Sequence, residues 1–224
     1  NASNGFNTFE FFDDFESGTV PEPARWTASG GTWSILTGVT QKNGVTGGVA
    51  QGTIPVSEKH LLKSAFSGTD YIVECDGLQT QGRVWGLGVR STDYQTTYTL
   101  NLYEDLDAAV NLYYYVWLGS QTTNTLYGGT VGTIAENTWY KLTVKAHGNN
   151  FDLFFGDELK ASVTGSLYPS GSVGLFGEYD DRTSEAGIYR YNDVRVRKYA
   201  SADPASTIGT EQDQTRILSI THSK

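Results

Sequence analysis

Trp139-Tyr-Lys-Leu-Thr-Val-Lys145, then Gly148-Asn-Asn150, then Phe151-Asp-Leu-Phe-Phe155 decide how the rest of the chain is read. Tyr140, Leu142 and Val144 alternate with Lys141, Thr143 and Lys145, the period of two that gives a strand one dry and one wet face. Gly148 to Asn150 tolerate positive φ and turn the chain, and Phe151, Leu153 and Phe155 alternate with Asp152 and Phe154 on the way back. Gly156-Asp-Glu158 turns it again. Ala161 to Thr164, Ser172 to Gly177 and Ile188 to Tyr199 continue as strands, with Tyr168-Pro-Ser-Gly171 as a turn. Short antiparallel strands in series make a sheet and exclude a helical domain.

Upstream the pattern repeats. Phe9 to Glu16 interleaves aromatics and acids as an edge strand does, and Pro21-Glu-Pro23 breaks it. Trp26 and Gly30 to Leu36 give short strands, Gly38 to Gly52 a loop and strand, and Leu61 to Phe66 and Tyr71 to Leu78 further strands. From Arg83 to Arg90, Trp85, Leu87 and Val89 share one face, and Gly86, Gly88 and Arg90 the other. Leu100 and Leu102, then Leu112 and Val116, make aliphatic faces on the next two strands, which the Glu104-Asp-Leu-Asp107 loop joins. Parity then puts Arg90, Asn101, Tyr103, Tyr113, Tyr115 and Trp117 on the opposite, outer face. Sugar rings stack on aromatic planes while their hydroxyls need polar partners, so these six are the candidate carbohydrate-binding residues.

The 224 residues, with 26 Gly, 14 Tyr, 10 Phe and 5 Trp, suit one large all-β domain over residues 1–200, followed by a polar linker and tail over 201–224. In the tail, Ile217 to Ile220 is β-prone and suited to strand addition. A net charge of −9 argues against nucleic acid and anionic membrane, because phosphate binding needs clustered cations. No apolar run is long enough to span a bilayer. The single cysteine, Cys75, excludes an internal disulfide and reads as a packed strand residue. Asn1-Ala-Ser3 is a glycosylation sequon. The Asn1 start and the lack of Met fit a secreted chain after signal cleavage or an excised domain, and localisation is expected to be extracellular or at the cell surface.

Phe12-Asp-Asp-Phe-Glu16, Trp139 to Val144, Gly171 to Leu175 and Asp193 to Val196 together resemble the concanavalin A-like, laminin G-like jelly-roll superfamily, in its extracellular carbohydrate-binding branch. The resemblance covers residues 9 to 199 and implies a two-sheet antiparallel β-sandwich. It also implies a structural Ca²⁺ between the first and last strands, with Asp13, Asp14 and Glu16 facing Asn192 and Asp193, and Gly47 and Gly48 as carbonyl donors. The alternative is that these acids cap turns or pair with Arg195 and Arg197. Laminarinase-like members carry Glu-x-Asp-x-x-Glu, which the sequence reading does not find here, and the Arg, His and Tyr motifs of alginate lyases are missing. Asp13 with Glu16 sits at a strand end, and Glu178 with Asp180 and Asp181 in a hairpin loop. His60, His147 and His222 show no spacing that suggests a metal or a nucleophile triad. The expectation is a non-catalytic carbohydrate-binding or adhesive module with a polysaccharide partner. A structural filament or coat subunit, pairing with copies of itself through terminal strands, is the second reading, and a glycoside hydrolase or polysaccharide lyase stands behind both.

Overall fold

The computed structural model describes residues 9–18, 22–104, 110–118, 121–123, 130–132, 134–181 and 183–201, with backbone alone for the strand residues between 103 and 132. The described residues form sixteen strands and no helix. Two eight-stranded antiparallel sheets make a β-sandwich, as the alternation requires.

Sheet I runs β14 (Glu158–Thr164), β13 (Asn150–Phe155), β12 (Trp139–His147), β6 (Tyr71–Gln81), β16 (Gly187–Lys198), β4 (Thr46–Ile54) and β3 (Thr32–Thr40). Short β1 (Phe11–Asp13) also pairs with β16. Sheet II runs β10 (Gln121–Thr123), β9 (Val110–Leu118), β8 (Thr97–Glu104), β7 (Val84–Ser91), β15 (Ser172–Glu178), β5 (Lys59–Ser64) and β2 (Trp26–Ala28), with β11 (Thr130–Gly132) on β9. The hairpin that decides the fold is β12–β13, in register from Leu142 opposite Phe155 to His147 opposite Asn150.

The two inner faces bury Trp85, Leu87, Val89, Leu100, Leu102, Leu142, Val144, Phe151, Leu153 and Val173, the positions that alternation assigned to the core. Leu112 and Val116, assigned with them, lie where only backbone is described. Cys75 is buried in the same core, and burial pushes its thiol well above the ordinary range. Gly77 faces the Trp85 ring, and a Cβ there would come within 2.3 Å of it. The larger residue would therefore displace the indole.

Buried tyrosines join the sheets through hydroxyls that meet backbone. Tyr189 on β16 donates to the Glu178 carbonyl (2.6 Å) and accepts from the N–H groups of Arg83 (3.0 Å) and Val84 (3.3 Å). Tyr191 donates to the Phe176 carbonyl and accepts from Gly86 N–H (3.3 Å). Tyr71 on β6 accepts from Arg90 N–H at 2.8 Å. These N–H groups belong to β7 or its entry, where the backbone departs from regular pairing: φ is +156° at Gly86 and +51° at Arg90. A buried backbone donor without a ladder partner is costly, and the hydroxyls from the opposite sheet supply one.

Candidate functional site

Arg90 does not lie on an outer face. It is 1% exposed, and its guanidinium donates to the carbonyls of Thr69 (3.2 and 2.9 Å) and Tyr168 (3.1 Å) and also to that of Gly148, above the Phe151 ring. The positive φ and the register shift between β15 and β7 near Ser172 break the strict alternation, so parity counted from Val89 fails one residue later. Asn101 is fully buried, donates to Thr99 Oγ1 at 3.1 Å, and leaves its own Oδ1 without a partner among the described residues. The β8–β9 register sets Asn101 opposite Tyr113, Thr99 opposite Tyr115, Thr97 opposite Trp117 and Tyr103 opposite Asn111. The side chains of Tyr103, Tyr113, Tyr115 and Trp117 lie outside the described residues.

The first and last strands are neighbours, with Asp13 opposite Val194. Four of the five side chains assigned to Ca²⁺ are nevertheless engaged with separate protein partners. Asp13 accepts from Trp26 Nε1 (2.7 Å), Phe15 N–H (2.9 Å) and Arg25 (3.3 Å). Asp14 caps the Glu16 N–H at 3.3 Å. Glu16 accepts from Gly48 N–H (3.0 Å) and Gln41 Nε2 (2.7 Å), and the Gln41 amide also donates to the Gly48 carbonyl (3.1 Å). That amide nitrogen fills the space between two oxygens that a cation would otherwise bridge. Asp193 pairs with Arg195 at 2.7 Å, and Asn192 Oδ1 is buried without a partner among the described residues. Among the described residues no three Asp, Glu, His or Cys side chains converge as a metal group. The donor set therefore does not fit a single coordination shell.

The polar convergence that the structure does make is on the outer face of sheet I. On β6, Tyr71, Val73 and Cys75 point into the core, which sends Glu74 and Asp76 outward from a central strand. An extra residue in β16 between Asn192 and Arg195, opposite Asp76 and Glu74, coincides with φ of +52° at Asp193 and brings Asp193 beside them. Lys42, Glu74, Asp76, Lys141, Asp193 and Arg195 line a cleft of about 170 Å³ with Cys75 at its floor. A second hollow of about 190 Å³ continues it past Glu74 and Lys141 to Lys145, Phe154 and Arg197. Trp139, at the end of β12, is half-buried, with its indole N–H on the Thr40 carbonyl at 2.9 Å.

The two carboxylates on β6 differ in environment. Burial raises the Asp76 pKa, assisted by Asp193 and opposed by Lys42, whose ammonium is 3.1 Å away. Glu74 pairs with Lys141 at 3.1 Å. Burial works against the Lys141 charge, but Glu74 and Asp157 outweigh it and raise its pKa. Glu74-Cys-Asp76-Gly-Leu-Gln79 thus runs as Glu-x-Asp-x-x-Gln, with amide in place of the last carboxylate. Without the last carboxylate the run does not stand out in the sequence. Gln79 itself is buried and donates to the Gly82 carbonyl at 2.6 Å. Of the other acidic group considered, Glu178 pairs with Lys59 and Asp181 with Arg83, while the Asp180 backbone pairs with that of Glu185.

No protein-family model and no curated protein matches the sequence. Solved structures do. A carbohydrate-binding module, CBM66 from Bacillus subtilis, shares 20% identity over 77% of this chain and 95% of its own, with a TM-score of 0.59. The likeness is one of fold, an antiparallel jelly-roll β-sandwich. A Bacteroides ovatus mixed-linkage-glucan GH16 protein in complex with its G4G4G3G product shares 11% identity over 83% and 99% of the two chains, TM-score 0.58. The Crh5 transglycosylase shares 14% over 86% and 85%, TM-score 0.58. The finding overturns the expectation of a non-catalytic module: jelly rolls of this shape and extent include catalytic domains, so the fold supplies no ground for denying an activity. No described helix is long and apolar enough to cross a membrane.

Proposed function

We propose that the chain is a polysaccharide-processing domain that holds a glycan strand across the outer face of sheet I, with Asp76 as proton donor and Glu74 as the partner carboxyl group. The observation that carries this is the meeting of Glu74 and Asp76 in one cleft, each beside a lysine ammonium at 3.1 Å, with burial raising the Asp76 pKa. Glycoside cleavage needs that division of labour: an acid for the leaving oxygen and a carboxylate for the other face of the sugar.

Residues two apart on one strand face stand about 6.6 Å apart. That suits the roughly 6.5–9.5 Å carboxyl separation that leaves room for a water in inverting hydrolysis. In this scheme Asp76 protonates the glycosidic oxygen as the C–O bond breaks, and Glu74 takes a proton from the water that attacks the anomeric carbon. Lys42, Lys141 and Arg195 offer donors to sugar hydroxyls, and Trp139 and Phe154 offer rings for stacking. Likeness to a GH16 protein holding a glucan product, and to a transglycosylase, supports a glycan as the substrate and an extracellular setting.

The test is release of reducing ends from a panel of plant, algal and microbial polysaccharides. Asp76→Asn should lower turnover by about 100-fold or more while binding survives. Equal rates for wild type and Asp76→Asn, or no release or transfer on any of the panel, would defeat the proposal.

A further inference from the structure

The edge of sheet II carries a second constellation, on different strands from the cleft. Ser29, just past β2, lies beside β5, where its backbone N–H donates to the Leu61 carbonyl at 2.9 Å. Its hydroxyl oxygen accepts from the Leu61 N–H, also at 2.9 Å. With one lone pair so engaged, the hydroxyl proton points to another acceptor, and His60 Nδ1 is 3.4 Å away. On the far side of the ring, His60 Nε2 is hydrogen-bonded to Glu58 Oε2. A carboxylate there keeps the proton on Nε2 and leaves Nδ1 as a base directed at the serine.

Four further features fit the arrangement. The His60 ring occupies the space where Gly30 lacks a side chain: a Cβ there would fall 2.2 Å from Cε1, so the glycine after Ser29 is what admits the imidazole. Tyr94 meets the ring edge-on, with centroids 5.9 Å apart, and fixes its plane. Gly30 and Gly31 follow Ser29 directly, and among the described residues their N–H groups donate to no protein acceptor. Beside Ser29, a hollow of about 100 Å³ is walled by Thr27, Ala28, Leu61 and Tyr94.

We propose that Ser29, His60 and Glu58 form an acyl-transfer site for esters of small acids, with Ser29 as nucleophile, His60 as general base and Glu58 as the positioning residue. Ser29 Oγ bonds to the acyl carbon while its proton passes to His60 Nδ1. The tetrahedral adduct collapses with loss of the alcohol, which takes that proton. Water, deprotonated by His60, then attacks the acyl-serine, so ester and water become acid and alcohol and the serine is restored. The hollow is large enough for an acyl group of two or three carbons and too small for a sugar ring, which separates this substrate class from the glycan proposed for sheet I.

The experiment treats the folded protein with a fluorophosphonate, locates the adduct by peptide mass spectrometry, and follows p-nitrophenyl acetate hydrolysis. The expected result is an adduct on Ser29, a burst of p-nitrophenol, and loss of both in Ser29→Ala. His60→Gln should slow labelling by about 100-fold. Glu58→Gln should lower kcat by about tenfold or more with KM unchanged, because it alters the base and not the pocket. Ser29→Ala also removes an acceptor for Leu61 N–H, so His60→Gln, which leaves the Ser29–Leu61 hydrogen bonds in place, provides the independent arm. No adduct, an adduct elsewhere, or Ser29 labelling at an unchanged rate in His60→Gln would overturn the assignment.

Discussion

Glu178 ends β15 with its side chain buried beside Lys59 Nζ at 2.9 Å. Burial is the larger influence and raises its pKa against the pull of Lys59, with Asp181 adding to the rise and Arg83 opposing it. A carboxyl whose pKa is higher folded than unfolded favours the folded state when protonated. That contribution is full below the unfolded value, about 4.3, and is lost as pH rises through the folded one. Glu178→Gln keeps the shape and removes the titration. Relative to this variant, the wild type should lose melting temperature between pH 4 and pH 7, and thermal melts across that range would show it; a constant gap would contradict the claim. None of this was legible in the sequence, where Gly-Glu-Tyr-Asp reads as the approach to a turn. The burial comes from sheet II packing, which joins residues far apart in the chain.

At the scale of elements, β7 is the strand on which reading and structure diverge most usefully. Trp85, Leu87 and Val89 alternate into the core as their spacing requires, because local parity holds wherever pairing is regular. It fails at Arg90, whose φ of +51° turns the side chain inward to collect carbonyls from three loops. A single positive φ leaves no mark in composition, so an arginine at the end of an alternating run is read as wet. Arg90→Met should destabilise the fold by roughly 3 kcal/mol or more, since several buried carbonyls lose their donor at once. Arg90→Lys should recover little, because an ammonium cannot reproduce the planar fork. Urea unfolding midpoints at constant m would give both values. The Glu74–Asp76 pair failed to register for the opposite reason: its spacing was in view, but its cleft depends on β16 lying next to β6, a pairing between residues more than a hundred positions apart.

Across the whole molecule, hairpins such as β12–β13 were legible because turn and alternation are local, whereas the order of strands within each sheet was not. The resemblance implied the two-sheet sandwich and its neighbouring terminal strands, and it left strand order to the structure and chemistry to individual side chains. The arrangement of the two terminal strands also has a mechanical side. β1 begins with Phe11 opposite Val196 and runs inward to Asp13 opposite Val194, so the chain enters and leaves β1 and β16 at the same end of the ladder. Tension applied through residues 11 and 198 loads the hydrogen bonds of that pair one after another, as in a zipper, and never all together in shear. Held by its ends in a force spectrometer, the domain should yield first by a short peel of β1 at low load. The remainder, where β16 is flanked by β6 and β4, should give way later in a separate, higher step.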